Sequence, residues 1–177
     1  MRAVVLLVLS LAACSSTATG DATLDAGAPP ADPLAQLLEE PGAKLRSRGY
    51  TEQEEQRFHG FLIEGKADVH PVELRSGRCA TFIGATSEAL VQLELLLYDG
   101  GGTEVARAAG TGARPVVHYC PSRAGVHYFV VRAEHGNGLY TTRGYDSPPG
   151  LAGRLDDLFG APARVPEPVH VAPAGRP

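Results

Sequence analysis

A chain of 177 residues, 44% hydrophobic and 20% charged, is expected to hold one ordinary core plus tails rather than two cores. Its formal net charge of −4 arises from interspersed residues with no basic stripe, which argues against nucleic acid as a partner. Twenty-one glycines and 14 prolines, with no tryptophan and one methionine, favour short strands and many turns, hence an all-β class.

Residues 1–13 have the form of a targeting segment. Arg2 supplies a short positive region, residues 3–11 an apolar run, and Leu11-Ala12-Ala13-Cys14 follows at cleavage distance. That run falls short of the roughly 20 apolar residues a spanning helix needs. Leu-Ala-Ala-Cys in this order resembles the lipobox of bacterial lipoproteins. The resemblance implies that residues 1–13 are a lipoprotein signal peptide and that Cys14 becomes a lipidated N-terminus. Several acyl chains would then hold the protein to a membrane, at about 0.8 kcal/mol per buried methylene. By the same resemblance, Ser15, where an aspartate in that family would signal retention at the inner membrane, implies export to the outer membrane. A transmembrane anchor, or an ordinary signal peptide with a chance cysteine, are the alternatives.

Residues 14–32 are small, polar and proline-rich, and are read as a flexible tether. Residues 33–58 are read as a short helical segment. Leu34, Leu37, Leu38 and Leu45 recur at near-helical spacing, Asp32 is placed to cap, Pro33 sits at the first helical position, and Pro41-Gly42 interrupts. Thr51 to Glu54 fit a capping box, so a second helix is expected over 52–58, with its acidic start a solvated face.

Residues 59–145 change to alternating runs separated by turns. Strands are expected at 59–64, 68–75, 78–84, 89–99, 103–108, 115–120, 126–134 and 139–143. About eight strands in this length suit an antiparallel β-sandwich. The 89–99 strand is expected at its centre, with Val91, Leu93, Leu95 and Leu97 facing the core, while Gln92, Glu94 and Tyr98 face mostly solvent and only Leu96 breaks the polar side. Pro71 marks an edge strand or a bulge. In 146–177, Leu151, Leu155, Leu158 and Phe159 are expected to form one or two amphipathic helical turns that dock on the sandwich in preference to a partner, and 161–177 is expected to be a disordered tail.

With one cysteine assigned to the lipobox, Cys79 and Cys120 make an even pair in a compartment that permits oxidation, so a disulfide is preferred over two buried free thiols. Closing that loop of about 41 residues would be worth about 4 kcal/mol in the chain-entropy account.

The run VQLELLLYDGGGTEVAR from Val91 to Arg107, a proline-led strand, and Ala124 to Val131 together resemble the bacterial pre-peptidase C-terminal domain, a jelly-roll-like sandwich found on secreted proteins. The match covers residues 58–145. It implies a noncatalytic accessory or binding module. Gln92 and Glu94 stand where that family usually alternates aspartates, and Tyr128 falls one place late in its Gly-x-Tyr-x-Val pattern, so no cation site is carried over.

Catalytic chemistry finds little support. His59, His70, His118, His127, His135 and His170 show no tight ligand spacing. His118 and His127 are expected to face each other across a hairpin turning at 121–125. Zinc there would need further ligands from Cys120, Glu134 or His135, and a rim histidine pair is the preferred reading. There is no GxSxG and no phosphate-loop order, and Asp99 with Glu104 falls short of a calcium ligand set. No catalytic residue, metal or cofactor is therefore expected. The expected function is that of an outer-membrane lipoprotein whose sandwich contacts an envelope protein or glycan, through the face bearing Tyr98 or through the loop with His135 and Asn137. The alternative is an envelope hydrolase or metal-dependent enzyme using His118 and His127. A dedicated glycan-binding module is disfavoured, because only 6% of residues are aromatic.

Overall fold

The structure, a computed structural model, describes residues 32–109, 114–151 and 155. The signal peptide, Cys14, the tether before Asp32, Leu158, Phe159, His170 and the tail from 161 lie outside the described residues.

Two short helices, α1 (Pro33–Leu37) and α2 (Glu39–Ser47), precede eight strands. The Asp32 carboxylate accepts a hydrogen bond from the Leu34 N–H at 2.9 Å, which is the expected cap. The break between the helices falls at Leu38 rather than at Pro41-Gly42. Pro41 sits in the first turn of α2, where an N–H would have no helical acceptor, so it does not end the helix. Gly42 is needed for close approach: a Cβ there would come within 2.5 Å of the Tyr145 hydroxyl.

The strands are β1 (Thr51–Leu62), β2 (Ala67–Leu74), β3 (Cys79–Thr86), β4 (Gln92–Tyr98), β5 (Glu104–Ala109), β6 (Val116–Tyr119), β7 (Gly125–His135) and β8 (Gly138–Ser147). They form two antiparallel sheets in the orders β1-β8-β3-β6 and β2-β7-β4-β5, the strand order of a jelly roll. The β-sandwich read from the alternating runs is the observed architecture. Pro71 lies on β2, an edge strand, where its missing N–H costs no ladder bond.

The expected helix at 52–58 is instead the first half of β1, and the helical segment ends at Ser47. An isolated two-turn helix is marginal in water. Pairing along β8 (Thr51↔Asp146, Glu52↔Tyr145, Gln53↔Gly144, then Arg57↔Arg143) offers that stretch a ladder the local signal does not reveal. Glu54, expected to reach back to Thr51 in a capping box, instead pairs with Arg57 Nη2 at 2.8 Å, and Glu52 accepts from Arg46 Nη1 at 2.8 Å and Arg57 Nε at 2.9 Å. Residues 54–56 bulge out of register, and Gln56 tucks inward over Gly144, where a Cβ would meet the Gln56 Cβ at 2.6 Å.

The core between the sheets gathers Leu93, Leu95 and Leu97 of β4 with Phe82, Phe129, Val131 and Tyr140. Phe82 and Phe129 stack across the interface with centroids 4.2 Å apart. A second cluster lies on the outer face of the β1-β8-β3-β6 sheet, where Leu38, Leu45 and Tyr50 cover Ile83, Ala85 and Tyr145; Leu151 and Leu155 pack there too, as expected of the segment after β8. Two expectations for β4 do not hold. Val91 precedes the strand and is exposed, and the outer side is not solvated, because Glu94 and Leu96 are both buried.

The β7–β8 turn is fixed by a single glycine. Gly136 has φ +87°, and a Cβ there would stand 2.3 Å from the Ala89 carbonyl oxygen and 3.0 Å from Val91 N, both backbone atoms. Gly136→Ala is expected to cost about 2–3 kcal/mol, the sum of left-handed strain and a forced backbone shift. Urea unfolding of the full chain checks it; a loss below about 0.5 kcal/mol, the range of ordinary surface substitutions, would show that the turn relaxes freely.

Candidate functional site

Two groups of residues stand out, one on each outer face of the sandwich. The first surrounds the disulfide. Cys79 begins β3 and Cys120 follows β6, and their sulfurs are bonded with the Cα atoms 4.1 Å apart. One step along the same pair of strands, Thr81 lies opposite His118. Side chains two residues apart on a strand share a face, so Thr81 and His118 stand beside the bridge. The Thr81 hydroxyl is 2.7 Å from His118 Nδ1, and His118 Nε2 is 3.4 Å from the Cys120 sulfur. Thr81 and Cys79 are buried, whereas Cys120 is exposed. Burial lowers the pKa of His118 below the ordinary imidazole value.

His118 and His127 do not meet. β6 belongs to one sheet and β7 to the other, so the 121–124 connection crosses the sandwich instead of closing a hairpin. Tyr119, not His118, faces His127, with ring centroids 5.7 Å apart, and His127 Nδ1 lies 3.0 Å from the Gly125 carbonyl. Of the further zinc ligands considered, Cys120 alone stands beside His118, and it is committed to the disulfide.

A third histidine joins a polar network at the β1–β2 edge. The Tyr140 hydroxyl donates to Asp68 Oδ2 at 2.8 Å and lies 3.1 Å from His70 Nε2. The His70 ring stacks on Phe58 with centroids 4.0 Å apart. Burial lowers the His70 pKa, partly opposed by Asp68, while burial and Asp68 together raise that of Tyr140. The network satisfies itself and holds the edge shut: a Cβ at Gly60 would meet Tyr140 Cε1 at 2.9 Å.

The second group covers the outer face of the β2-β7-β4-β5 sheet. Register places Pro71, Tyr128, Tyr98 and Glu104 in one row across four strands, and Val69, Val130, Leu96 and Arg107 in the next. Val69 is 58% exposed, Val126 44% and Tyr128 39%. Charges on the same face are spent on one another. Glu94, 2% exposed, is paired by Arg107 and Arg132. Arg107 also holds Glu104 at 2.6 Å, which lowers that carboxyl's pKa, and Arg132 reaches Glu134 at 2.5 Å. The result is an apolar and aromatic band beside a cluster in which two arginines are shared among three carboxylates.

The expected contact residues fall at opposite ends of this sheet. Tyr98 pairs with Tyr128, whereas Gln92, at the other end of β4, pairs with His135. Six residues of strand separate them by about 20 Å. His135 is exposed, but Asn137 is structural: its Oδ1 accepts from the Glu64 N–H at 2.7 Å, and the neighbouring Gly136 N–H donates to Glu64 Oε2 at 2.8 Å. Asp99 likewise spends its carboxylate on the β4–β5 turn, accepting from the Gly101 and Thr103 N–H groups at 2.9 Å. Thr81 and the Pro71–Tyr128 row were not anticipated. Thr81 had a readable signal, since a bridge between Cys79 and Cys120 on antiparallel strands sets their i±2 neighbours opposite each other.

Compared with known proteins, the chain matches no family model and no curated protein. Among the described residues no helix is long and apolar enough to cross a membrane.

Proposed function

We propose that this chain is a bacterial lipoprotein, anchored through lipid on Cys14 and exported to the outer membrane, whose jelly roll is a noncatalytic binding or accessory module of the cell envelope. The lipobox-like segment supports the location, and the tether after it gives the domain its reach. The likeness to the pre-peptidase C-terminal domain supports an accessory role. The observation that carries the contact surface is the outward row of exposed Pro71 and Tyr128 with half-buried Tyr98, flanked by Val69 and Val126. Tyrosine offers a rigid apolar ring with a polar tip, the chemistry enriched where proteins meet. The two arginines nearby, Arg107 and Arg132, are already paired with Glu94, so the row is best matched to a largely apolar protein surface.

The test is capture from crosslinked envelopes with the full lipidated chain as bait, read by mass spectrometry. A Cys14→Ala chain is expected to leave the membrane fraction. The same protein partner should be recovered repeatedly with the native bait and weakened at least about tenfold for Tyr98→Ser with Tyr128→Ser, as for interface anchors. Undiminished capture by that variant would remove the surface assignment. Recovery of glycan without protein would replace the protein partner with a saccharide.

A further inference from the structure

We infer that the Cys79–Cys120 bridge is a reducible one and that its dithiol form, together with His118 Nε2, makes a zinc site on the outer face of the β1-β8-β3-β6 sheet. Three potential ligand atoms, the two sulfurs and a ring nitrogen of His118, lie within 4.8 Å of one another. Tetrahedral zinc with Zn–S of about 2.3 Å spaces two thiolates about 3.8 Å apart. Breaking the S–S bond lets the sulfurs move from bonded to van der Waals contact, which is the separation zinc requires. Cys79 and Cys120 already face each other from neighbouring strand ends, so both thiolates would start on one face beside His118.

The histidine is held as a zinc ligand is held. Metal-bound imidazoles direct one nitrogen to the ion and give the other a hydrogen-bonding partner that fixes tautomer and ring orientation. Here the buried Thr81 hydroxyl takes Nδ1 at 2.7 Å and turns Nε2 onto the Cys120 sulfur at 3.4 Å. A disulfide sulfur is a poor hydrogen-bond acceptor, so this orientation gains little while the bridge is intact. It becomes useful when two thiolates stand there. Because Cys120 is exposed, the fourth position faces solvent, giving two thiolates, one imidazole and a water.

Access to the dithiol requires a dithiol reductant. Its thiolate attacks the exposed Cys120 sulfur, the S–S bond breaks, and Cys79 leaves as a thiolate. The reductant's second thiolate then attacks the mixed disulfide and releases Cys120, so two electrons pass to the protein and the reductant leaves as its own disulfide. Zinc binding displaces the two thiol protons. Disulfide and zinc are thus alternative crosslinks of the same two strand ends.

The experiment uses the full chain, reduced with a dithiol, desalted without oxygen and titrated with Co2+ and then Zn2+. One Co2+ per chain is expected, with a thiolate-to-cobalt charge-transfer band that Zn2+ abolishes, while the oxidised chain gives no band. Thr81→Val, which leaves both thiols in place, should weaken binding about 10- to 100-fold, the range for loss of such a supporting partner. His118→Ala should weaken it at least as much. No band in the reduced native chain, or undiminished binding by His118→Ala, overturns the inference. If reduction alone unfolds the chain, zinc should restore its circular dichroism, and failure to restore it overturns the inference equally.

Discussion

Cys79→Ala combined with Cys120→Ser is expected to lower unfolding free energy by about 4 kcal/mol, because the bridge closes a loop of 41 residues. For a domain of this size that corresponds to a fall in Tm on the order of 15 °C. The magnitude follows from what the loop contains. Between the two cysteines lie most of β3 and all of β4, β5 and β6, so the crosslink removes the freedom of strands from both sheets in the unfolded chain. The native state loses a local support as well. β6 is a four-residue edge strand that pairs, among the described residues, with β3, and the bridge ties its end to the start of β3. Fraying of β6 is therefore expected before global unfolding, seen as early loss of amide protection at Val117 and Tyr119. Urea melts of the native and double-variant full chains under metal-free conditions measure the difference. A loss under 1 kcal/mol would mean that the unfolded chain keeps these strand ends together without the bond.

The positions of the strands were legible because period-two apolar runs and glycine turns are local properties. All eight expected runs overlap observed strands, the first only over residues 59–62 of β1, and Leu93, Leu95 and Leu97 face the core as their alternation requires. Where local signals pointed elsewhere, pairing decided. Thr51 to Phe58 carries helix-start chemistry but meets the open side of β8, and the ladder prevails. The outer side of β4 looked polar because Glu94 is charged. Arginines from β5 and β7 close over it, and nothing in a local window announces that. The hairpin expected between His118 and His127 failed for a topological reason, since a short turn joins partners in one sheet or crosses between two with the same residues. Of the contact surface, Tyr98 was readable as an outward residue on a central strand. Pro71 and Tyr128 joined it only through register.

Arg107→Met together with Arg132→Met is expected to destabilise the domain by about 3–5 kcal/mol, because it leaves the Glu94 carboxylate, 2% exposed, without a counter-charge. Glu94→Leu alone should cost much less, about 1 kcal/mol, because Arg107 and Arg132 are 42% and 38% exposed and can turn to water when the carboxylate is gone. The triple replacement should return to within about 1 kcal/mol of the native chain, since apolar side chains of similar volume fill a buried ionic site at little net cost. Denaturant unfolding of the three variants gives the ordering, and a Glu94→Leu loss as large as that of the double variant would show that the carboxylate's hydrogen bonds, not its charge balance, matter most. The triple variant carries a second expectation. The ionic cluster borders the row of Val69, Val130 and Leu96, in which Val69 is exposed, Val130 half-buried and Leu96 buried, so making it apolar carries apolar surface from β2 across to β5, an edge strand. Self-association on size exclusion is the predicted consequence, and it assigns the buried charges a role that stability measurements alone do not detect: limiting how far the apolar face spreads.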